Sequence, residues 1–295
     1  MSKNMDVSKR KQSIIAGGLI SSAGIFFAKF IGLFYAVPYN SMLGTADNLA
    51  YYGVAFNIYS YLLNICTAGF PFAIATLIAK YSTRGDYQTS LLIKKLSASL
   101  MTCFGFGMMI IVILFSSPLA ALVMPDEGDS VKTMQMVLIL ISFALFFVPL
   151  LSSIRGFYQG LKHMEIYALS QVLEQVARVA FLLSASAIAV YALHTDQVWA
   201  LYFGVISTSI SAILAIMHLK LYDKKQMREL KRLAKTQEVA GNNDRREILK
   251  ELVFIAFPYL IVAILGYSDT IVNTLFLSKG LEAHGNTDAE ILLIS

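Results

Sequence analysis

Seven long apolar runs separated by short polar stretches organise this sequence: residues 13 to 39, 49 to 79, 96 to 123, 133 to 154, 166 to 193, 198 to 219 and 252 to 277. A hydrocarbon core of about 30 Å needs about 20 residues of helix at about 1.5 Å each. Each run is therefore long enough to cross a bilayer. The pattern predicts an all-α, polytopic helical membrane protein, with almost no sequence left for a soluble domain.

The polar stretches then orient it. Of the 24 Lys and Arg residues, 20 fall at the N-terminus or in alternate loops, namely four from Lys3 to Lys11, four from Lys80 to Lys95, Arg155 with Lys162, and ten from Lys220 to Lys250. The opposite loops hold only Lys132 and Lys279. Basic residues in short loops stay on the cytoplasmic side. The bias places the N-terminus in the cytoplasm. It also accounts for the net charge of +5, so a nucleic-acid partner is not needed to explain it. Composition agrees: charged residues make up 15% of the chain, against roughly 25% in an average soluble domain. The first run is too long for the apolar part of a signal peptide and is followed by further spans, so it reads as a membrane helix.

Residues 1–219 form an expected six-helix transmembrane lobe, 220–251 a cytoplasmic charged linker, and 252–295 the start of a second lobe. Within the linker, Met227, Leu230, Leu233 and Ala234 recur at helical spacing among basic residues, which predicts an amphipathic helix on the inner leaflet. The stretch reads as a hinge between lobes. A new apolar run opens at Ile291, and Asn273 to Phe276 faintly repeats Asn40 to Leu43, so the chain is expected to be an incomplete polypeptide whose second lobe repeats the first.

Several residues sit where hydrocarbon penalises them. Lys29 lies about 15 residues into the first run, about 22 Å from its inner end. An ammonium at that depth costs roughly 2.5 to 3.5 kcal/mol on insertion scales, so it should face a wet cavity or an anion. In the fifth run Gln171, Glu174, Gln175 and Arg178 are spaced i, i+3, i+4, i+7, which puts them on one helical face. Glu174 and Arg178 are positioned to pair, and both a structural pair and a cavity lining stay open. Asp269, with Ser268, Thr270 and Asn273, gives an oxygen-rich group of the kind hard cations prefer; a proton-carrying or helix-bonding Asp is an equal alternative. Gly17, Gly18, Gly24, Gly105 and Gly107 read as close-packing positions, and Pro71, Pro149 and Pro258 as breaks inside spans. The outer acidic group Asp126, Glu127 and Asp129 reads as solvated.

Other chemistries find no support. Cys66 and Cys103 fall in spans without a CxxC or a His neighbour, and no metal site is expected. There is no GxxxxGK[ST] loop and no HExxH, so no cofactor is expected and transport would draw on sodium or proton coupling, the membrane potential or a partner. A membrane transferase would require a catalytic acidic cluster, and a scaffold a large extramembrane surface.

Finally, AKFIGLFYAVPY (28–39), AFNIYSYLL (55–63), TAGFP (67–71), IAKY (78–81), SIRGFYQG (153–160) and SQVLEQVARV (170–179) resemble the polysaccharide-transport branch of the MOP exporter superfamily, and within it the Gram-positive lipid II flippase type. The resemblance implies two six-helix lobes in a V around a central cavity. It implies alternating access that carries a pyrophosphate-linked sugar head group across while the polyprenyl tail stays in lipid. Such a protein has a lipid-linked oligosaccharide and membrane lipid as partners and is not an enzyme. Lys29 occupies the place of the family's cavity-lining basic residue, usually Arg, and Tyr35 stands where some relatives have a second Arg. Asp269 matches a helix-seven Asp that belongs to a sodium site in some relatives. The alternative is another exporter of the superfamily, for polysaccharide intermediates or, by cation-coupled antiport, for drugs.

Overall fold

Hydropathy marks where a helix meets hydrocarbon, and hydrogen bonding decides where it ends. A computed structural model describes residues 19, 22–124, 128–266, 268–270, 272, 273 and 276. Among these, seven helices are long and apolar enough to cross a membrane. Several run past their apolar cores, because an exposed helix end can keep its backbone bonds in polar surroundings.

The first span, α1, covers Ser22–Leu43 and is interrupted by a turn at Tyr35. Pro38 then sits in the first turn of the resumed helix Ala36–Leu43, where its missing N–H breaks no helical bond. At Gly44 the φ of 72° supplies the left-handed step that ends the helix. Thr45 caps α2 (Ala46–Thr67) by accepting a bond of 3.2 Å from the Asn48 N–H. A break at Ala68 and Gly69 leads into α3, Phe70–Thr83. Pro71 thus lies inside the span Ala46–Thr83, as expected, but in the first turn of the helix that resumes after the break. Pro149 and Pro258 do lie within helices.

A tight turn through Gly85 leads to Asp86, whose carboxylate accepts from the Thr89 N–H at 3.0 Å and starts α4, Tyr87–Leu114. The helix begins nine residues before the apolar run does. After a short α5 (Ser116–Val123), α6 runs from Asp129 to Gly160, so Arg155 is helical and not in a loop. Then come α7 (Met164–Ala187), which closes in a π-turn over Ile188–Ala192, α8 (Val198–Thr236) and α9 (Arg245–Gly266).

The bundle is built around α6, which packs against α2, α3, α4, α5, α7 and α8. Small residues allow the closest approaches, as expected where lipid is as apolar as any side chain. A Cβ on Gly156 or Gly160 would come within 2.8 Å or 2.7 Å of the α3 backbone carbonyls of Pro71 and Ala75. On Gly105 it would meet the Leu145 carbonyl at 2.5 Å, whereas Gly107 faces open space. Gly17, Gly18, Asp126, Glu127 and Lys279 lie outside the described residues. Two buried clusters result, one near the α1–α2 turn around Tyr39, Leu43 and Tyr59, the other near the α3–α4 turn around Ile74, Phe157 and Leu252.

The charged linker departs from expectation. Its first half is no separate surface helix but the continuation of α8 to Thr236. Leu230 and Ala234 turn one face inward and are buried. Beyond it the chain docks on the start of α4: the Gln237 side-chain carbonyl accepts from the Tyr87 and Gln88 N–H groups, both at 2.9 Å, and the Asn242 N–H donates to Thr89 Oγ1 at 2.7 Å. The seventh span, α9, packs on α3, α2 and α4, and Glu251 pairs with Lys80.

Candidate functional site

The regular spacing on α7 is what builds the site. Gln171, Glu174, Gln175 and Arg178 do share a face, and that face lines a cavity of about 400 Å³ together with Lys29, Gly32 and Tyr35 of α1 and Arg155 of α6. All five cavity residues singled out in the sequence therefore meet in one place. Gly24 lets α1 approach α7, since a Cβ there would sit 3.1 Å from the Ala168 methyl.

The pairing inside the cavity differs from the expected one. Glu174 bonds not to Arg178 but to Arg155, at 2.7 Å. Arg155 also donates Nε and Nη2 to Ser170 Oγ at 3.1 and 3.0 Å. The apolar run stops at Ile154, which made Arg155 look like a loop residue; the helix carries on, and the arginine reaches back toward α7. Arg178 instead enters an aromatic setting. Its guanidinium lies 5.1 Å from the Phe56 ring centre and 6.0 Å from that of Tyr35, and Nη2 approaches the Tyr52 hydroxyl at 3.4 Å. Ring faces attract cations most where water is excluded. The Arg178 Nε is buried without a hydrogen-bond partner. Lys29 is exposed and has no ion-pair partner among the described residues. Gln171 donates to the Tyr167 hydroxyl at 3.0 Å.

Three cations and one carboxylate leave this cavity with two net positive charges. It is suited to an anion, and the amides of Gln171 and Gln175 add donors and acceptors for polar groups. A wider groove of about 1070 Å³ lies along α3 and α9. It is lined by Lys80, which pairs with Glu251, and by Arg245, Arg246 and Lys250 at the charged start of α9, and it holds none of the polar residues of the α7 face. Asp269, Thr270 and Asn273 lie exposed on the seventh span and do not line the cavity. Among the described residues no group of three or more His, Cys, Asp and Glu side chains is arranged to hold a metal ion.

The described residues thus form a bundle of helices long and apolar enough to cross a membrane, with a charged cavity between the first, fourth and fifth spans. Its fold is similar to that of an outward-facing multidrug resistance MATE family transporter of the MOP superfamily, with a TM-score of 0.65 over 91% of this chain and 56% of the other at 16% identity. The chain belongs to the polysaccharide biosynthesis protein family, which it matches over residues 14–289. It is 31% identical to the lipid II flippase MurJ of Bacillus subtilis over 85% of its own length and 46% of that protein. It is also 28% identical to the stage V sporulation protein B of the same bacterium over 57% of this chain and 32% of the other. The chain thus spans half or less of the length of these relatives.

Two contributors escaped the sequence reading, Arg155 and the Tyr52 and Phe56 pair on α2. Arg155 does fall in the SIRGFYQG segment that carries part of the family resemblance, which was its one available signal.

Proposed function

We propose that this chain forms the first lobe, and the beginning of the second, of a flippase that moves a polyprenyl-diphosphate-linked cell-wall sugar across the bacterial cytoplasmic membrane. Lipid II or a close relative of it is the substrate that fits the 31% identical flippase. The observation that carries the reading is the net positive cavity with Lys29, a lysine without an ion pair among the described residues, on the first span. The anionic diphosphate would repay its desolvation, the sugar would meet the glutamines, and the tail would stay in lipid while the lobes alternate. The protein acts as a transporter and not as an enzyme. A drug antiporter of the same fold is the second reading, and the cationic cavity argues against cationic drugs.

In the full-length parent protein, Lys29→Ala is expected to abolish flipping and cell-wall complementation at normal membrane expression. Lys29→Arg, which keeps the charge and adds a phosphate-matching fork, retains activity. Full complementation by Lys29→Ala would overturn the reading. Coupling is proposed to run through sodium at Asp269, Thr270 and Asn273, so Asp269→Asn should remove a sodium dependence of transport; an unchanged sodium response would assign coupling elsewhere. The N-terminus is proposed to be cytoplasmic. A single cysteine at Asp47 should then label from outside in a Cys66 and Cys103 null background, while one at Val239 should not.

A further inference from the structure

The cavity contains one more group than an anion site needs. Glu174 pairs with Nη2 of Arg155, and Arg155 also turns Nε and Nη2 to Ser170 Oγ. Both side chains are largely enclosed, with 12% of Arg155 and 22% of Glu174 exposed, so water does little to screen the pair. One helical turn along α7, at i+4, Arg178 holds a buried Nε that has no partner. A buried donor left unsatisfied is unfavourable. Side chains four apart on a helix are near neighbours, so the carboxylate that now holds Arg155 is placed to serve Arg178 as well.

We infer that Glu174 is a two-position carboxylate: it holds Arg155 while the cavity is empty, and passes to the Nε of Arg178 when the substrate's diphosphate takes Arg155. Arg155 is then a substrate ligand kept in reserve, and Glu174 is a positioning residue that stands in for the substrate until it arrives. No bond is made or broken beyond hydrogen bonds and ion pairs. The charges match one class of ligand. The side chains of the cavity carry two net positive charges, which a diphosphate diester with two negative charges cancels and a monophosphate diester leaves half uncompensated. The exchange also gives a partner to Arg178 Nε, the orphaned donor of the site among the described residues, so substrate binding gains a bond. This inference rests on the proposed anionic substrate and adds the residue that admits it and the reason for preferring a diphosphate.

The test uses the full-length parent protein in detergent, with farnesyl diphospho-N-acetylglucosamine and its monophospho counterpart as probes and calorimetric titration as readout. The wild type should favour the diphosphate ester. Arg178→Lys keeps the charge but removes Nε, and should weaken diphosphate binding about tenfold without changing the elution of folded protein. Glu174→Gln frees Arg155 and should bind both probes more tightly, with the preference between them reduced. In the Glu174→Gln background, Arg178→Lys should have no further effect, because no carboxylate is left to be received; that coupling is the signature of exchange. Diphosphate binding with strictly additive effects, or weakened by Glu174→Gln, overturns the exchange while leaving the substrate reading intact. Absence of diphosphate binding in the wild type overturns both. If Glu174→Gln does not fold, Arg178→Lys decides alone: unchanged affinity sinks the exchange.

Discussion

α1 and α8 are both long and apolar enough to cross a bilayer, yet 6% of the membrane-crossing window of α1 is buried in the bundle and 61% of that of α8. The difference lies in the kind of residue each presents. On α8 the inward face mixes Leu201, Val205 and Leu219 with many small residues: Ala200, Gly204, Ser207, Ser211, Ala212 and Ala215 are set close against neighbours, and the serines bond to carbonyls of their own helix. On α1 the large aromatics point outward, with Phe26, Phe30 and Phe34 exposed in a ladder. Its polar residue opens on the cavity. Hydrocarbon surrounds an apolar side chain as well as protein does, so hydropathy cannot separate a lipid-facing span from a packed one. Size and polarity at each position can.

The two helices meet where this contrast is sharpest. Tyr39 of α1 is buried, donates its hydroxyl to the Ala200 carbonyl at 3.1 Å, and lies so close to Gly204 that a Cβ there would fall 1.7 Å from the hydroxyl and 2.4 Å from the ring. Gly204→Ala is therefore the change expected to do most damage, about 1 to 3 kcal/mol of overpacking, read as a lowered melting temperature in detergent. An unchanged melting temperature would show that α1 and α8 are not packed as described. Tyr39→Phe removes only the buried hydrogen bond and should lower stability by about 0.5 to 1.5 kcal/mol, with activity kept. Lys29→Ala should leave stability within about 0.5 kcal/mol of wild type while the proposed flipping is lost, because Lys29 lines the cavity and is exposed rather than packed. A large loss of stability would make the lysine structural and erase the contrast. Smallest of all, Gly107→Ala meets nothing within 4 Å and should be neutral or slightly stabilising through helix propensity.

Much of the site was legible before any coordinates. Four residues at i, i+3, i+4 and i+7 must share a helical face, and four polar side chains in one span cannot all turn to lipid. Lys29 announced itself by depth. The ion pair was not legible, because pairing depends on which helix lies across the cavity: α6 brings Arg155 to Glu174, while the nearer candidate in sequence, Arg178, is drawn to Tyr35, Tyr52 and Phe56. Linear spacing shows which residues of one helix are neighbours. It says nothing about residues from two others.

The sequence by itself determined that this is a membrane protein, how many described helices cross, and which residues are too polar to face lipid, because those properties depend on the balance between hydrocarbon and water, which each segment meets on its own. Only the tertiary structure decided that α6 and α8 form the packed centre, that the charged linker continues α8 and docks on α4, and that Arg155 joins the cavity. Those outcomes depend on close approach between backbones and on the desolvation of charges brought together from distant segments, and no stretch of sequence contains both partners.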